Sequence, residues 1–203
     1  MYLAALTFVT DCADQAVILP VAAAVAVVLM SQRRWHVAAA WLLAVPGVLG
    51  TLLLLKIAGY ACGWLFPALG PDQFALHSPS GHVASGAVVC SGIVMLQARR
   101  LWSNAAAAAL IAALDAAAVI GATRVQLGAH SVSEVVVAAG VGGGGAVAFA
   151  WLGGRHLVER SGLPAAAVAV LILFHGRHLP AEAVIQSAAA DTLRQWIVAC
   201  QPN

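Results

Sequence analysis

Long apolar runs alternate with short polar or charged links along most of the chain. A helix needs roughly 20 predominantly apolar residues to cross the hydrocarbon core of a bilayer. Runs near this length predict about six membrane-spanning helices. These runs lie near residues 15–31, 36–55, 82–98, 103–121, 131–152 and 162–175, of which the last is the shortest.

Two segments depart from this pattern. Residues 57–81 are less hydrophobic and are rich in glycine and proline. Residues 176–203 form a C-terminal tail that mixes apolar side chains with Glu, Asp and Arg. Two alternatives stay open for this tail, an amphipathic helix on the membrane surface or a disordered segment. The whole pattern predicts an all-α, polytopic membrane helix bundle that forms a single domain over residues 1–203.

Composition strengthens the membrane assignment. Hydrophobic residues make up 62% of the chain and charged residues only 9%, whereas soluble domains have roughly 45–50% and 25%. The net charge of +2 has no basic stripe or tail behind it, so nucleic acid is excluded as an expected partner. Asp11 and Asp14 stand where a signal peptide carries basic residues, and we therefore expect no cleavable signal peptide.

Lysine and arginine residues predict the orientation of the bundle. Six of the ten fall in the links after the first, third and fifth runs, and the positive-inside rule assigns such links to the cytoplasm. Lys56 and Arg124 lie at run ends on the opposite side. That side, with both chain termini, is predicted to face away from the cytoplasm. The six cytoplasmic residues are Arg33, Arg34, Arg99, Arg100, Arg155 and Arg160.

Small and acidic residues inside the runs indicate packing. Gly140 and Gly144 form a small-xxx-small pair in the fifth run, which predicts a close approach between helices. Asp115 lies inside the fourth run, where an acid is costly. We expect it to pair with a neighbouring helix or with a water molecule.

Several polar residues at run ends fall on the same side of the membrane and could bind a phosphoryl group. A helix N-terminus presents unpaired N–H groups to an anion. Ser80 is placed to cap the third run, and Gly81 allows the backbone to approach a ligand closely. Lys56 closes the second run and Arg124 the fourth, which adds two cations. Arginine in particular suits bidentate contact with phosphate.

Two histidines and a carboxylate add reactive groups to this site. His82 and His130 can exchange protons near neutral pH. Glu134 lies four residues after His130 and therefore shares its helical face. A carboxylate there can hold one ring nitrogen and leave the other free to attack.

These residues resemble the motifs of the type-2 phosphatidic acid phosphatase family, the lipid phosphate phosphatases, which share their site with vanadium haloperoxidases. The family motifs are Lys-x6-Arg-Pro, then Pro-Ser-Gly-His, then Ser-Arg-x5-His-x3-Asp. Residues 79–82 match the second motif in full, and Arg124 with His130 matches the core of the third at the family spacing.

The resemblance implies a fold, a reaction and a role for each residue. His130 would be the nucleophile that forms a phosphohistidine, Glu134 would orient it, and His82 would protonate the leaving group. The phosphoryl oxygens would be bound by Lys56, Arg124 and the N–H groups of Ser80 and Gly81. No metal or cofactor is implied, because no carboxylate cluster suited to Mg²⁺ appears.

The implied substrate is a lipid phosphate or diphosphate such as undecaprenyl diphosphate, phosphatidylglycerol phosphate or phosphatidic acid. The implied location is the inner (plasma) membrane, with the active site facing the periplasm or the outside. The partners are therefore the lipid substrate and the bilayer. The oligomeric state stays open.

Three positions depart from the family motifs. Thr123 replaces serine and keeps the hydroxyl, whereas Glu134 replaces aspartate and adds a methylene. Gly63 and Trp64 stand where the first motif has Arg-Pro, so one phosphate-binding cation is missing. Losing one transition-state contact typically costs roughly 10²–10³ in rate. His77 lies close enough in sequence to substitute in part.

The missing Arg-Pro keeps a second interpretation open. The chain would then be a catalytically impaired member that binds phospholipid headgroups or a membrane partner. A third interpretation, a small transporter or structural membrane protein, leaves the order of histidines, arginine and glutamate as coincidence.

Overall fold

The computed structural model describes residues 2–62, 78–98, 104–153 and 162–188. Within these ranges the chain forms eight helices and no strand, which confirms the all-α prediction. Each of the six predicted runs corresponds to a helix. The helices are α1 (Tyr2–Asp11), α2 (Gln15–Ser31), α3 (Trp35–Cys62), α4 (Gly81–Ala98), α5 (Ala105–Gln126), α6 (Val132–Leu152), α7 (Leu163–Phe174) and α8 (Ala181–Ala188).

Four stretches of the described chain are long and apolar enough to cross a membrane. They are Tyr2–Ser31, Trp35–Tyr60, Ala105–Gln126 and Val132–Leu152, while Gly81–Gln97 and Leu163–Phe174 are shorter apolar helices. The protein is therefore a membrane helix bundle. The first stretch joins α1 to α2, and α1 was not predicted because Asp11 and Asp14 interrupt the apolar run.

Helix α4 lies at the centre of the bundle and packs against α2, α3, α5 and α6. Every residue from Val83 to Val89 is buried, so α4 has no polar face. A helix that is apolar on all sides is typical of a protein core or of a membrane span, and the burial of these residues places this part of α4 in the core. Ser85 and Ser91 satisfy their hydroxyls by bonding to carbonyls one turn earlier, Gly81 at 2.7 Å and Val88 at 3.1 Å. The start of α4, where the Pro-Ser-Gly-His motif lies, is thereby fixed in position by its surroundings.

Helix α6 passes close to α4 at Gly142. A Cβ atom added there would lie 2.7 Å from the carbonyl oxygen of Ala84, which is too close for any side chain. Gly145 likewise faces Val48 of α3. The predicted pair, Gly140 and Gly144, has nothing within 4 Å of an added Cβ. The prediction of close packing was therefore right for this glycine cluster and wrong for the two residues chosen.

The segment after α7 folds back across one end of the bundle. Helix α8 contacts α3, and residues 177–180 lead to it without helical structure. Of the two alternatives for the tail, the helical one applies to Ala181–Ala188, although this helix lies against the protein. The tail beyond Ala188 lies outside the described residues.

Candidate active site

A tight turn between α5 and α6 sets the spacing of Arg124 and His130. Gly128 has φ +67°, a left-handed conformation that glycine adopts without strain. The N–H of Gly128 bonds to the carbonyl of Val125 at 3.0 Å, and that of Ala129 bonds to Arg124 at 2.9 Å. These two bonds form a Schellman motif, which ends helices at glycine. The N–H of His130 also bonds to the carbonyl of Arg124, at 3.3 Å, so the turn brings His130 back onto the end of α5.

Glu134 links the start of α6 to His130. Ser131 caps α6, and Glu134 completes a capping box by accepting from the Ser131 N–H at 3.1 Å. The same oxygen, Oε2, lies 2.9 Å from Nδ1 of His130. Because Nδ1 is held in this way, Nε2 is the ring nitrogen left for chemistry. The Glu134 carboxylate is buried, with 7% of the residue exposed.

The second oxygen of Glu134 reaches the loop before α4. Oε1 accepts a hydrogen bond from the N–H of Ser78 at 2.7 Å. The carbonyl of Glu134 also accepts from the N–H of Ser80 at 3.4 Å. One residue therefore contacts both the His130 ring and the Pro-Ser-Gly-His loop.

Lys56 is buried near the end of α3, with 3% exposed. Its Nζ donates to Ser78 Oγ at 2.7 Å and to the two carboxylate oxygens of Glu182 at 2.8 and 2.6 Å. An ammonium group has three N–H donors, so these three contacts use all of them. A phosphoryl oxygen can bind Lys56 only by displacing the carboxylate of Glu182 or sharing the lysine with it.

Glu182 lies on α8 and holds further bonds. Its Oε1 accepts from Ser78 Oγ at 2.8 Å and also from the hydroxyl of Tyr60. Burial acts to raise the pKa of Glu182, but the hydrogen bonds from Lys56 and Tyr60 and the charge of Lys56 outweigh it, so the pKa lies below its ordinary value. Glu182 is therefore ionised at neutral pH.

His82 opens α4 and faces the turn between α1 and α2. Its Nε2 lies 3.4 Å from Oδ2 of Asp14. Asp14 is buried and caps α2 through Oδ1, which accepts from the N–H of Ala16 at 2.8 Å. His178, in the segment before α8, brings its Nδ1 to within 3.3 Å of the same Oδ2.

Two polar atoms near the site are buried with no hydrogen-bond partner among the described residues, Ser80 Oγ and Arg124 Nε. Ser80 was predicted to cap α4. Its carbonyl does accept the first helical bond, from Ala84, but its hydroxyl makes no cap bond, so that part of the prediction was wrong. Arg124 donates only one described bond, from Nη1 to Thr10 Oγ1 at 3.4 Å. Both groups retain donors that a bound anion can use.

A cavity of about 200 Å³ lies beside Lys56 and His82 and is not lined by Arg124 or His130. Lys56, Gly81 and His82 line it on one side together with Asp14 and Glu182. Its apolar wall is formed by Leu19, Leu49, Leu52, Leu53, Leu179 and Ile185. Polar groups and leucines thus meet in one space, which suits a ligand with a charged head and an apolar chain.

All seven predicted site residues lie at the same end of the bundle, where α3 and α5 end and α4 and α6 begin. Gly63, Trp64 and His77 lie outside the described residues. Asp115 is exposed on α5, and none of the described residues forms a hydrogen bond or ion pair with it. Among the described residues no group of three or more His, Cys, Asp or Glu could hold a metal ion, and metal-free chemistry stays a prediction.

Sequence reasoning missed Asp14, His178 and Glu182. The sequence did contain a signal for Asp14, because aspartate directly before an apolar helical run is a typical N-cap. The predicted orientation also placed both chain ends on the side of Lys56 and Arg124. Acidic residues near those ends were therefore candidates for contact with the histidines.

Comparison with family models matches residues 60–156 to the PAP2 superfamily. This match, over just under half of the chain, supports membership of the PAP2 superfamily. The match includes His82, Arg124, His130 and Glu134, while Lys56 lies just before it. No curated protein and no solved structure matches the chain. PAP2 proteins are generally phosphatases, so membership indicates a phosphatase that acts on phosphorylated substrates.

Proposed function

We propose that this PAP2 protein is an integral membrane phosphatase that hydrolyses a lipid phosphate or diphosphate through a phosphohistidine. Candidate substrates are undecaprenyl diphosphate, phosphatidylglycerol phosphate and phosphatidic acid. The leucine-lined cavity beside Lys56 and His82 supports a lipid substrate.

One observation carries the proposal. Glu134 Oε2 lies 2.9 Å from His130 Nδ1, and Oε1 of the same buried carboxylate holds the Ser78 N–H at 2.7 Å. An imidazole held at one nitrogen by a carboxylate is an oriented nucleophile. Around it are the donors that a phosphoryl group needs, including the unpartnered Nε of Arg124 and hydroxyl of Ser80.

The reaction has two steps. In the first, Nε2 of His130 forms a bond to phosphorus while the bond from phosphorus to the leaving oxygen breaks. Protonated His82 gives its proton to that oxygen and becomes neutral. In the second, neutral His82 takes a proton from water as the water oxygen attacks phosphorus. The bond to Nε2 breaks, phosphate leaves, and both histidines return to their starting states.

The orientation of the site is part of the proposal. The arginine pattern supports an inner membrane protein whose Lys56 end faces the periplasm or the outside. Single cysteines at Ala129, on the site side, and at Gln32, on the other, test this in a chain whose native cysteines are replaced by serine. An impermeant reagent added outside should label position 129 only, and labelling of position 32 alone would reverse the orientation.

Purified protein in detergent tests the activity. Each candidate lipid is supplied, released phosphate is measured, and the denatured protein is analysed for a phosphate bond that is stable in alkali and labile in acid. We expect turnover with at least one lipid, survival in EDTA, and trapped phosphohistidine that is absent from His130→Ala. Activity abolished by EDTA and restored by Mg²⁺ would contradict the metal-free route.

Two observations favour the alternative of an impaired, lipid-binding member. The first motif has Gly63 and Trp64 in place of Arg-Pro. In addition, the ammonium group of Lys56 is already bound to the Glu182 carboxylate. A protein that binds a lipid phosphate from vesicles but releases no phosphate from any of the three lipids would support this alternative over the phosphatase.

A further inference from the structure

The turn between α1 and α2 brings a second carboxylate to the site. Asp14 is buried, with 5% exposed, and its two oxygens have separate partners. Oδ1 accepts from the N–H of Ala16 at 2.8 Å and from the N–H of Leu179 at 3.4 Å. Oδ2 lies 3.4 Å from His82 Nε2 and 3.3 Å from His178 Nδ1. One oxygen therefore caps a helix, while the other faces two imidazole rings.

We propose that Asp14 is a positioning residue for His82, whose ring it orients and whose protonated form it stabilises. The inference rests on the proposed phosphatase activity, in which His82 protonates the leaving group. A general acid must carry a proton before the reaction, and a carboxylate beside one ring nitrogen favours that form. None of the described residues bonds to Nδ1 of His82, so Nδ1 is the nitrogen available to the leaving oxygen.

The charges around His82 show why a carboxylate is needed there. Burial of His82 and the positive charge of Arg124 from α5 disfavour the protonated ring, whereas Asp14 favours it. Lys56 and Glu182 line the same cavity, but they bind each other and largely cancel. Asp14 is therefore the anion that acts directly against Arg124 at His82. His178 contacts the same oxygen of Asp14.

The reaction keeps its proton balance with Asp14 in this role. Asp14 Oδ2 accepts the hydrogen bond from the Nε2 proton and takes no part in proton transfer. The proton that reaches the leaving oxygen comes from Nδ1, and the attacking water returns one to Nδ1 in the second step. No other donor is required.

Asp14→Asn tests the proposal, because asparagine is as good an N-cap as aspartate but carries no charge. The full-length variant is assayed on an alkyl phosphate such as phosphatidic acid and on nitrophenyl phosphate. Nitrophenolate, the leaving group of nitrophenyl phosphate, needs little protonation. We expect kcat to fall about tenfold to a hundredfold on the alkyl phosphate, a part of what general acid catalysis supplies, and to change little on nitrophenyl phosphate. The alkaline limb of the kcat profile should move to lower pH.

Asp11→Asn is the matched control. Asp11 ends α1, is similarly buried, and approaches His178 at 4.0 Å, but it makes no described contact with His82. This variant should leave the preference between the two substrates and the pH profile unchanged. If Asp14→Asn loses equal activity on both substrates without a shift of the profile, Asp14 is only a helix cap and the proposal fails.

A readout without turnover separates this inference from the proposed function. In protein labelled with ¹⁵N-histidine, the His82 signals are assigned by comparison with His82→Gln and titrated by NMR. Asp14→Asn should lower the midpoint of the His82 titration relative to wild type, whether or not the protein hydrolyses any lipid. An unchanged midpoint would overturn the role of Asp14. Wild-type protein that hydrolyses no lipid phosphate would instead contradict the proposed phosphatase activity.

Discussion

The two histidine–carboxylate pairs of the site are built in different ways. His130 and Glu134 are four residues apart and lie in one capping box at the start of α6. Asp14 precedes α2 and His82 opens α4, so the two residues are far apart in the chain and their contact depends on how α2 packs beside α4. The carboxylate holds Nδ1 in the first pair and Nε2 in the second.

This difference separates a pair fixed by local structure from a pair fixed by packing. The local pair is the shorter one, 2.9 Å against 3.4 Å, and its carboxylate also anchors the loop before α4. A nucleophile must be aimed precisely at phosphorus, whereas a proton donor tolerates more motion. We therefore expect substitutions in the local pair to have the larger effects on rate.

Replacing the nucleophile should have the largest effect. His130→Ala removes the atom that attacks phosphorus and is expected to lose ~10³ or more in kcat, by analogy with other nucleophile deletions. Phosphate release from the best lipid substrate measures the loss. His175→Ala is the matched control, since among the described residues the His175 ring contacts Phe8, bonding to its carbonyl at 3.2 Å and lying tilted against its ring. Full turnover by the His130 variant would remove it as the nucleophile.

The loss of rate on removing His82, the proposed general acid, should depend on the leaving group. His82→Ala is expected to lose ~10²–10⁴ on phosphatidic acid, the usual range for general acid catalysis. On nitrophenyl phosphate the loss should be much smaller, because nitrophenolate leaves without a proton. The ratio of kcat on the two substrates is the measurement. Equal losses on both would mean that His82 binds the phosphoryl group rather than protonating the leaving oxygen.

Two substitutions at Glu134 should separate its roles in catalysis and in folding. Glu134→Gln keeps a side chain that a capping box accepts but removes the charge beside His130. Glu134→Asp restores the family residue and the charge, but it is too short to reach Ser131, His130 and Ser78 together.

We expect Glu134→Asp to retain more kcat than Glu134→Gln while losing about 1 kcal/mol of stability, the usual value of a cap. Activity assays and thermal unfolding, compared side by side, give both quantities. The opposite order of the two variants in kcat would show that the geometry of Glu134, and not its charge, sustains the nucleophile.

The smallest effect is expected at Glu182. Removing its charge frees Lys56 for substrate, so Glu182→Gln should lower KM by about twofold to fivefold, the size of a partly exposed ion pair. Gln186→Ala on the same helix, which loses only the 3.1 Å bond to Tyr60, controls for disturbance of α8. An unchanged or raised KM would mean that the carboxylate does not compete with the phosphoryl group.

The same competition predicts a pH dependence. The pKa of Glu182 is below its ordinary value in the folded protein, so its bond to Lys56 is fully formed above that ordinary value. The bond is lost only as pH falls through the lowered pKa. The KM difference between wild type and Glu182→Gln should therefore be present at neutral pH and disappear in acid. A difference that persists at a pH where Glu182 is protonated would contradict this cause.

Much of the fold and the local half of the site could be predicted from the sequence. The apolar runs predicted the helices because each satisfies its own backbone in lipid, and the spacing of Arg124, His130 and Glu134 reflects a helix end, a turn and one helical face. The contact of Asp14 with His82 was not predictable in this way, because it depends on which helices are neighbours. For the same reason the glycine at the α4–α6 contact was identified by structure alone.

The contact of Gly142 with Ala84 fixes the spacing between α4, which carries His82, and α6, which follows His130. Ala84 follows His82 by two residues, and Gly142 follows Glu134 by eight, or about 12 Å along the helix axis. Because Gly142 has no Cβ, α4 and α6 can pack closely here, and this spacing influences the distance between His82 and His130. A shift of ~1 Å in such a distance can cost about a hundredfold in rate. Gly142 does not line the cavity, so a mutational screen restricted to cavity-lining positions would overlook its effect on the spacing of the two histidines.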